Sequence, residues 1–589
     1  MAQGATHDLV IRGGKLVDGT GTPARLADIA VDNGVITAVG DVEGRGRREI
    51  DAAGLIVTPG WVDIHTHFDG QVTWDPYLSP SCWHGVTTVV MGNCGVGFAP
   101  AKPDRHEWLI ELMEGVEDIP GTALAEGIRW NWETFPEYLD AVAAQPRVMD
   151  VGAQAPHGSI RAYVMGERGA RNEPATAADI EAMAVIVREA IEAGALGFST
   201  SRTKIHRAKD GEPVPGTFAS EDELLGIGRA MKAAGHGVFE VILGDSPPEV
   251  DFAWMTQLSK DNGVPITFGL GQNTFEPDKW RRRLALTEVA RKDGADITAY
   301  IACRPLGMVL GWQSTFHAFC MRPAYQAIAH LPFPERLEKL RDPEVRAKIL
   351  ADVSISRSPS FDILTGGYDR MFRLEHGDDL DYEPREADSV AELAKATGRA
   401  PDEIVYDMMM ERDGNGFIYV PLENFARYNL DHVLEMMRHE ATVMSMSDAG
   451  AHYGVICDAS FPTYLLTYWA RDRVRGERLT LEQAVAMQTR DTAALYRLND
   501  RGLVAPGMKA DLNVIDFDHL KLHSPEMIFD LPSGSRRLVQ KASGYRATVV
   551  SGVVTFENGE PTGEMPGRLI RGPQGPRAAA SPAAAAQAN

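Results

Sequence analysis

Apolar residues fall along this chain in two alternating textures. One is the short run rich in Val, Ile and Phe that a strand buried on both faces requires. It recurs at 61–67, 86–93, 148–155, 195–200, 237–243, 264–270, 295–302 and 441–447. The other is the helical stripe: within 177–193, Ile180, Met183, Val187 and Ile191 keep the i, i+3, i+7, i+11 spacing. Ser220 followed by Glu223 has capping-box spacing and opens a further helix. Eight such strands alternating with helices predict an α/β fold, a (β/α)8 barrel. The rhythm breaks once. Residues 303–440, between the seventh and eighth strands, are far longer than an ordinary connection. They leave the C-terminal end of a strand, the catalytic face of such barrels, so a lid-like insertion is expected there.

The ends of the chain read differently. DLVIRGGKLVDGTG and DIAVDNGVITAVGD, with Asn33-Gly34 as a hairpin signal, find a counterpart in ADLNVIDFD and ATVVSGVVTFENGE. Residues 1–58 and 501–572 are therefore expected to pair into one small β-sandwich domain beside a barrel over 59–500. The segment 573–589 is low in complexity and expected to be disordered.

Composition narrows the partners. With 59 Lys+Arg against 82 Asp+Glu the formal charge of the 589 residues is −23, which argues against nucleic acid or an anionic membrane surface. Five scattered cysteines make no disulfide framework. No signal core and no long apolar run occurs, so a soluble, cytoplasmic protein is expected. A homo-oligomer is compatible with the chain.

The sharpest chemistry is His65-Thr66-His67, which ends the first barrel strand just after a Thr-Pro-Gly turn. Residues i and i+2 of a strand share a face, so both imidazoles enter one cavity and suit zinc or a similar divalent ion. Two hydrogen-bonded core histidines are the plain alternative.

PGWVDIHTHFD followed by GVTTVVMGNCG resembles the amidohydrolase superfamily, and within it the D-aminoacylase (N-acyl-D-amino-acid deacylase) branch. LNDRGLVAPGMKADLNVIDFD and SGVVTFENGEPTGEMPGRLIRG look like that branch's closing β segment. The resemblance implies a distorted metal-dependent barrel with two histidine ligands matching His65 and His67. It implies a cysteine ligand matching Cys94, whose thiolate a metal would stabilise, and a strand-eight aspartate matching Asp448. That aspartate contacts the metal and handles the proton of the attacking water. The implied activity is hydrolysis of the amide bond of small N-acyl, D-configured amino acids.

The chain also departs from that pattern. Strands five and six of the branch each bring a histidine, whereas GVFEVILGD and VPITFGLGQN contain none. Glu240 instead interrupts an apolar run, and a carboxylate there needs a compensating cation, either a metal it ligates or a buried Arg or Lys. One divalent ion, zinc for preference, is therefore expected rather than two. Arg304, past strand seven, could clamp a substrate carboxylate or be ion-paired. His452, four residues past Asp448, could donate to a leaving group or brace its loop. His157 resembles a Gly-His-Gly turn of the family. Lys204, the Arg281–Arg283 run and Met408–Met410 read as surface, surface and packing. Two rival readings stay open: a cyclic amide, ester, lactone or amine as substrate, and a catalytically inactive scaffold.

Overall fold

The computed structural model describes residues 6–354, 359–377 and 380–576. From 577 onward the tail expected to be disordered lies outside the described residues.

Every predicted barrel strand forms, with ends shifted by no more than four residues. Trp61–Asp63, Val86–Met91, Asp150–Pro156, Gly197–Ser201, Val238–Ile242, Ile266–Gly269, Ile297–Ile301 and Thr442–Met444 lie side by side in chain order, all parallel. Helices cover them on the outside. Ala177–Glu192 is opened by a capping box between Thr176 and Asp179 and buries Met183, Val187, Ala190 and Ile191. Glu221–Ala234 takes its N-cap from Ser220, which accepts the Glu223 amide, and ends at Gly235 in the left-handed region.

The eighth strand meets the first without a regular ladder. A single parallel bridge joins Thr66 to Ala449. Side chains do the rest: Asp63 accepts the hydroxyls of Ser445 (3.1 Å) and Ser447 and the His65 amide (3.3 Å), and Ser445 Oγ accepts the Ile64 amide (3.2 Å). The seam of the barrel thus lies where His65 and Asp448 face each other.

The two chain ends share one nine-stranded sheet. Leu512–Ile515 pairs antiparallel with Ile56–Pro59, and Thr6–Leu16 continues the order on the other side. Leu9, Ile11, Ile29, Val31, Val57, Leu512, Val514 and Val549 fill its core. Between this β domain and the barrel base lies a buried ionic cluster. Arg501 pairs with Asp150 (2.8 Å) and Asp500 (2.8 Å), and Lys509 pairs with Asp150 (3.1 Å) and Asp511 (2.5 Å).

The long connection is a folded unit. Gly307–Leu310, Phe372–Arg373 and Ile418–Pro421 form a three-stranded sheet. Trp312, Phe319, Tyr325, Tyr406, Met408 and Met409 pack a separate core beside it. It reaches the active face through Val309, whose amide donates to Val455 O (2.7 Å), and Thr315, whose amide donates to Gly454 O (3.3 Å). Among the described residues no helix is long and apolar enough to cross a membrane.

Candidate metal centre

Regular strand pairing stops at Asp63, so the histidines need another anchor. Thr66 supplies it: its amide and hydroxyl both donate to Val90 O, at 3.1 and 2.9 Å, while the His67 amide donates to Ala449 O at 2.7 Å. With Thr66 turned into the wall, the side chains on either side of it project into the same cavity.

The Gly92-Asn93-Cys94-Gly95 turn is shaped by equally local causes. A Cβ on Gly92 (φ +80°) would lie 2.4 Å from Gln154 O, and one on Gly95 (φ +72°) 3.0 Å from Ser201 N. Asn93 is fully buried; its amide donates to Thr66 O and Val90 O (3.0 Å each) and accepts from Gln154 (2.7 Å). The ends of three strands are thereby stapled together, and Cys94 is thrust inward.

These anchors bring His65, His67 and Cys94 together, with ligand atoms all within 4.8 Å of one another. Cys94 Sγ lies 3.4 Å from His65 Nε2 and 3.8 Å from His67 Nε2. Asp448 Oδ1 closes the group at 3.1 Å from His65 Nε2 and 3.6 Å from His67 Nε2. Cys94 (φ 58°), Met446 (φ 85°), Asp448 (φ 47°) and His452 (φ 50°) all hold left-handed backbone around this point. Such conformations cost about 1–3 kcal/mol each and persist where surrounding structure enforces them, as at functional sites.

Electrostatics here are one-sided. Asp69, Glu117, Glu240 and Asp448 converge on the cavity, and none forms an ion pair with Lys or Arg among the described residues. Burial alone would lower the His67 imidazole, but Glu117, Asp448 and Asp69 outweigh it and raise it to about 9. Burial opposes ionisation of Asp448, yet hydrogen bonds from His65 and His67 hold it far below the usual carboxylate range. Burial, reinforced by the same carboxylates, pushes the Cys94 thiol well up, and burial raises Asp69 to about 7.

The other sequence candidates divide. Glu240 is completely buried, but its partners are the Tyr300 hydroxyl (2.6 Å) and the Cys94 amide (3.3 Å). The Arg or Lys expected as one alternative is absent from its described contacts, because donors from strand seven and the Cys94 turn fill that place. It is not one of the His65–His67–Cys94 trio, and one of its oxygens accepts the amide of Cys94. His452 lies at the site, its Nε2 3.5 Å from Glu117 Oε2.

Two candidates are engaged elsewhere. Arg304 takes the ion-paired alternative: it is 1% exposed, bonded to Asp458 Oδ1 at 2.5 Å, and lies 3.9 Å over the Tyr382 ring. It is no free clamp, since strand-distant residues claim its charge and its face. His157 gives one ring nitrogen to Thr200 (2.9 Å) and the other to Glu223 (2.9 Å), leaving neither for a ligand. Lys204 is exposed, and Met408 and Met409 are core residues of the insertion.

Sequence reasoning passed over Glu117, Tyr300 and His206. Glu117 closes the helix His106–Glu117 and is buried beside Leu112, Met113 and Val116. An acid four residues on from Met113 in an apolar stripe is the signal that could have found it. His206, in the loop after strand four, bonds Ser201 (3.2 Å), and burial lowers it to about 4 despite nearby Glu117 and Asp448.

Two imidazoles and a thiol in reach of one point, ringed by carboxylates without a fixed cation, fit a divalent ion of zinc's character. The comparisons agree with this architecture. The model of the Amidohydrolase family matches residues 48–556, and the chain belongs to that family. It is accordingly a metal-dependent hydrolase of carbon–nitrogen bonds. An uncharacterised protein of Mycobacterium tuberculosis is 29% identical over 95% of this chain and 93% of its own. The D-aminoacylase of Alcaligenes xylosoxydans xylosoxydans is 26% identical over 96% and 97%. In fold, the chain is similar to the crystal structure of N-acyl-D-glutamate deacylase from Bordetella bronchiseptica complexed with zinc and a phosphonate inhibitor. That likeness has a TM-score of 0.62 at 23% identity and covers 96% of this chain and 100% of the other.

Proposed function

We propose that this protein hydrolyses the amide bond of small N-acyl amino acids, D-configured ones for preference, with one zinc ion at the barrel mouth. The observation that carries the reading is the buried trio His65, His67 and Cys94, with Asp448 Oδ1 3.1 and 3.6 Å from the two imidazoles. Relatives named D-aminoacylase support the substrate class, and the zinc of the Bordetella deacylase supports the ion.

His65 and His67 would hold the ion through Nε2 and Cys94 through Sγ, with Glu240 accepting the Cys94 amide and so fixing the turn. When bound, a divalent ion polarises the substrate carbonyl and lowers the pKa of a water molecule at the site. Asp448, its Oδ1 at the open side of the two imidazoles, takes the proton of the attacking water. It then delivers that proton to the leaving nitrogen, serving as base and then acid. The insertion, tied to the His452 loop through Val309 and Thr315, would shield this exchange from solvent.

A panel of N-acetylated D- and L-amino acids, cyclic amides and amines separates the readings. Release of the free amino acid by the zinc-loaded enzyme, faster for the D series, is the expected result. Ammonia release without amino acid, or ring opening alone, would replace the deacylase reading.

A further inference from the structure

Glu117 joins three parts of the active face that are distant in sequence. Its side chain is 2% exposed, yet no Lys or Arg pairs with it among the described residues. Glu117 Oε1 lies 3.5 Å from His67 Nδ1, at ion-pair distance, and both atoms are buried without a hydrogen-bond partner among the described residues. Its second oxygen, Oε2, lies 3.5 Å from His452 Nε2, and its backbone carbonyl accepts the His452 amide. The next residue extends the grip, for Asp118 Oδ2 accepts the Gly454 amide at 3.2 Å. His65 Nδ1 is likewise buried without a hydrogen-bond partner, but among the described residues no carboxylate pairs with it, and the Asp448 carboxylate meets His65 at Nε2 instead.

We propose that Glu117 is a positioning residue that orients His67 toward the ion and holds the loop following Asp448. An imidazole presents a lone pair on one nitrogen only when the other carries the proton. With an ion bound, a carboxylate at Nδ1 places that proton on the Glu117 side, which leaves the Nε2 lone pair for the ion in place of the N–H that Asp448 otherwise accepts, and raises its basicity as a ligand. The second oxygen fixes His452, so the left-handed backbone at Asp448 and His452 is braced from the helix His106–Glu117. Of the two histidines, His67 is then the oriented one, and His65 is set by its own backbone and by Asp448.

This inference rests on the metal reading above, and one experiment separates the two. Zinc affinity is measured by competition with a chromophoric chelator for wild type, E117Q and E117M, together with the thermal midpoint of each metal-free protein. E117M, which keeps the volume and loses the acceptor, is expected to bind zinc about 10- to 100-fold more weakly, with E117Q between it and wild type. On a hydrolysed substrate kcat should fall in the same order while KM stays within about twofold. If E117M does not fold, E117Q decides alone, since a carboxamide is the weaker acceptor and a loss of roughly threefold or more is expected. Zinc affinity equal to wild type in a folded variant would overturn the positioning role and leave the metal reading intact. A wild-type protein that takes up no zinc would instead remove the metal reading itself.

Discussion

The barrel carries a buried cluster of charges at each end, and the two are built on opposite terms. At the base, Asp150, Asp500 and Asp511 are met by Arg501 and Lys509 at 2.5–3.1 Å, with Thr88 giving Arg501 a further acceptor at 2.8 Å. Each charge there has a fixed counter-charge, and Arg501 and Lys509 pull Asp150 down to about 2 against its burial. At the mouth, among the described residues, Asp69, Glu117, Glu240 and Asp448 are met by imidazoles, a phenol and amides and by no Lys or Arg ion pair. Burying carboxylates without a permanent cation is costly unless something supplies one. The base is complete as folded, whereas the mouth is organised around a positive charge that its own side chains do not provide.

The largest expected effect lies at the mouth. D448N keeps the volume and removes the base, so kcat should fall by about 10²- to 10⁴-fold with zinc content and thermal midpoint near wild type. Full activity in that variant would end its catalytic assignment. The mirror experiment is D150A at the base, which leaves Arg501 and Lys509 under-compensated. It should lose about 3–5 kcal/mol in urea unfolding while binding zinc as before. A base variant that loses zinc, or a D448N that loses stability instead of turnover, would erase the contrast between the two ends.

Next comes the ranking within the mouth. C94A should weaken zinc binding by roughly tenfold or more, and by more than E240Q does, because the Cys94 thiol belongs to the trio with His65 and His67 while the Glu240 carboxylate already holds the Cys94 amide and the Tyr300 hydroxyl. The reverse order in a chelator titration would move Glu240 to the ion.

A smaller effect follows from pH. The folded pKa of Asp150 is depressed relative to the unfolded chain, so its contribution is whole above about pH 4 and lost as pH falls toward 2. Urea midpoints should therefore drop over that window more steeply in wild type than in D150N. Parallel profiles would mean that the base pairs do not set acid stability. Smallest of all should be the effect of R304K on KM, because Arg304 is committed to Asp458 and Tyr382. A rise of tenfold or more would restore Arg304 to the substrate.

How much of this was legible in the sequence depended on distance along the chain. The eight strands could be read because each is a local apolar run, and the structure moves their ends by no more than four residues. His65 and His67 could be read because strand alternation is also local, and Cys94 because GVTTVVMGNCG resembles the family's cysteine turn. Glu117 could not be placed, since its partners His67 and His452 come from the first and last barrel segments. The same gap left the readings of His157 and Arg304 open. Both follow strand ends, but Glu223 and Asp458, brought in from elsewhere, decide what they do. Glu240 marks the middle case: its burial was evident from the apolar run around it, while its donors, Tyr300 and the Cys94 amide, required the fold.

The contrast between base and mouth is tested most directly by metal content. Protein purified without added metal, loaded with zinc and freed of excess, should hold about one ion per chain by elemental analysis. The H65A/H67A double variant, with its base cluster untouched, should hold close to none. A wild-type chain that stays near zero after loading, or a double variant that binds as much as wild type, would contradict the account.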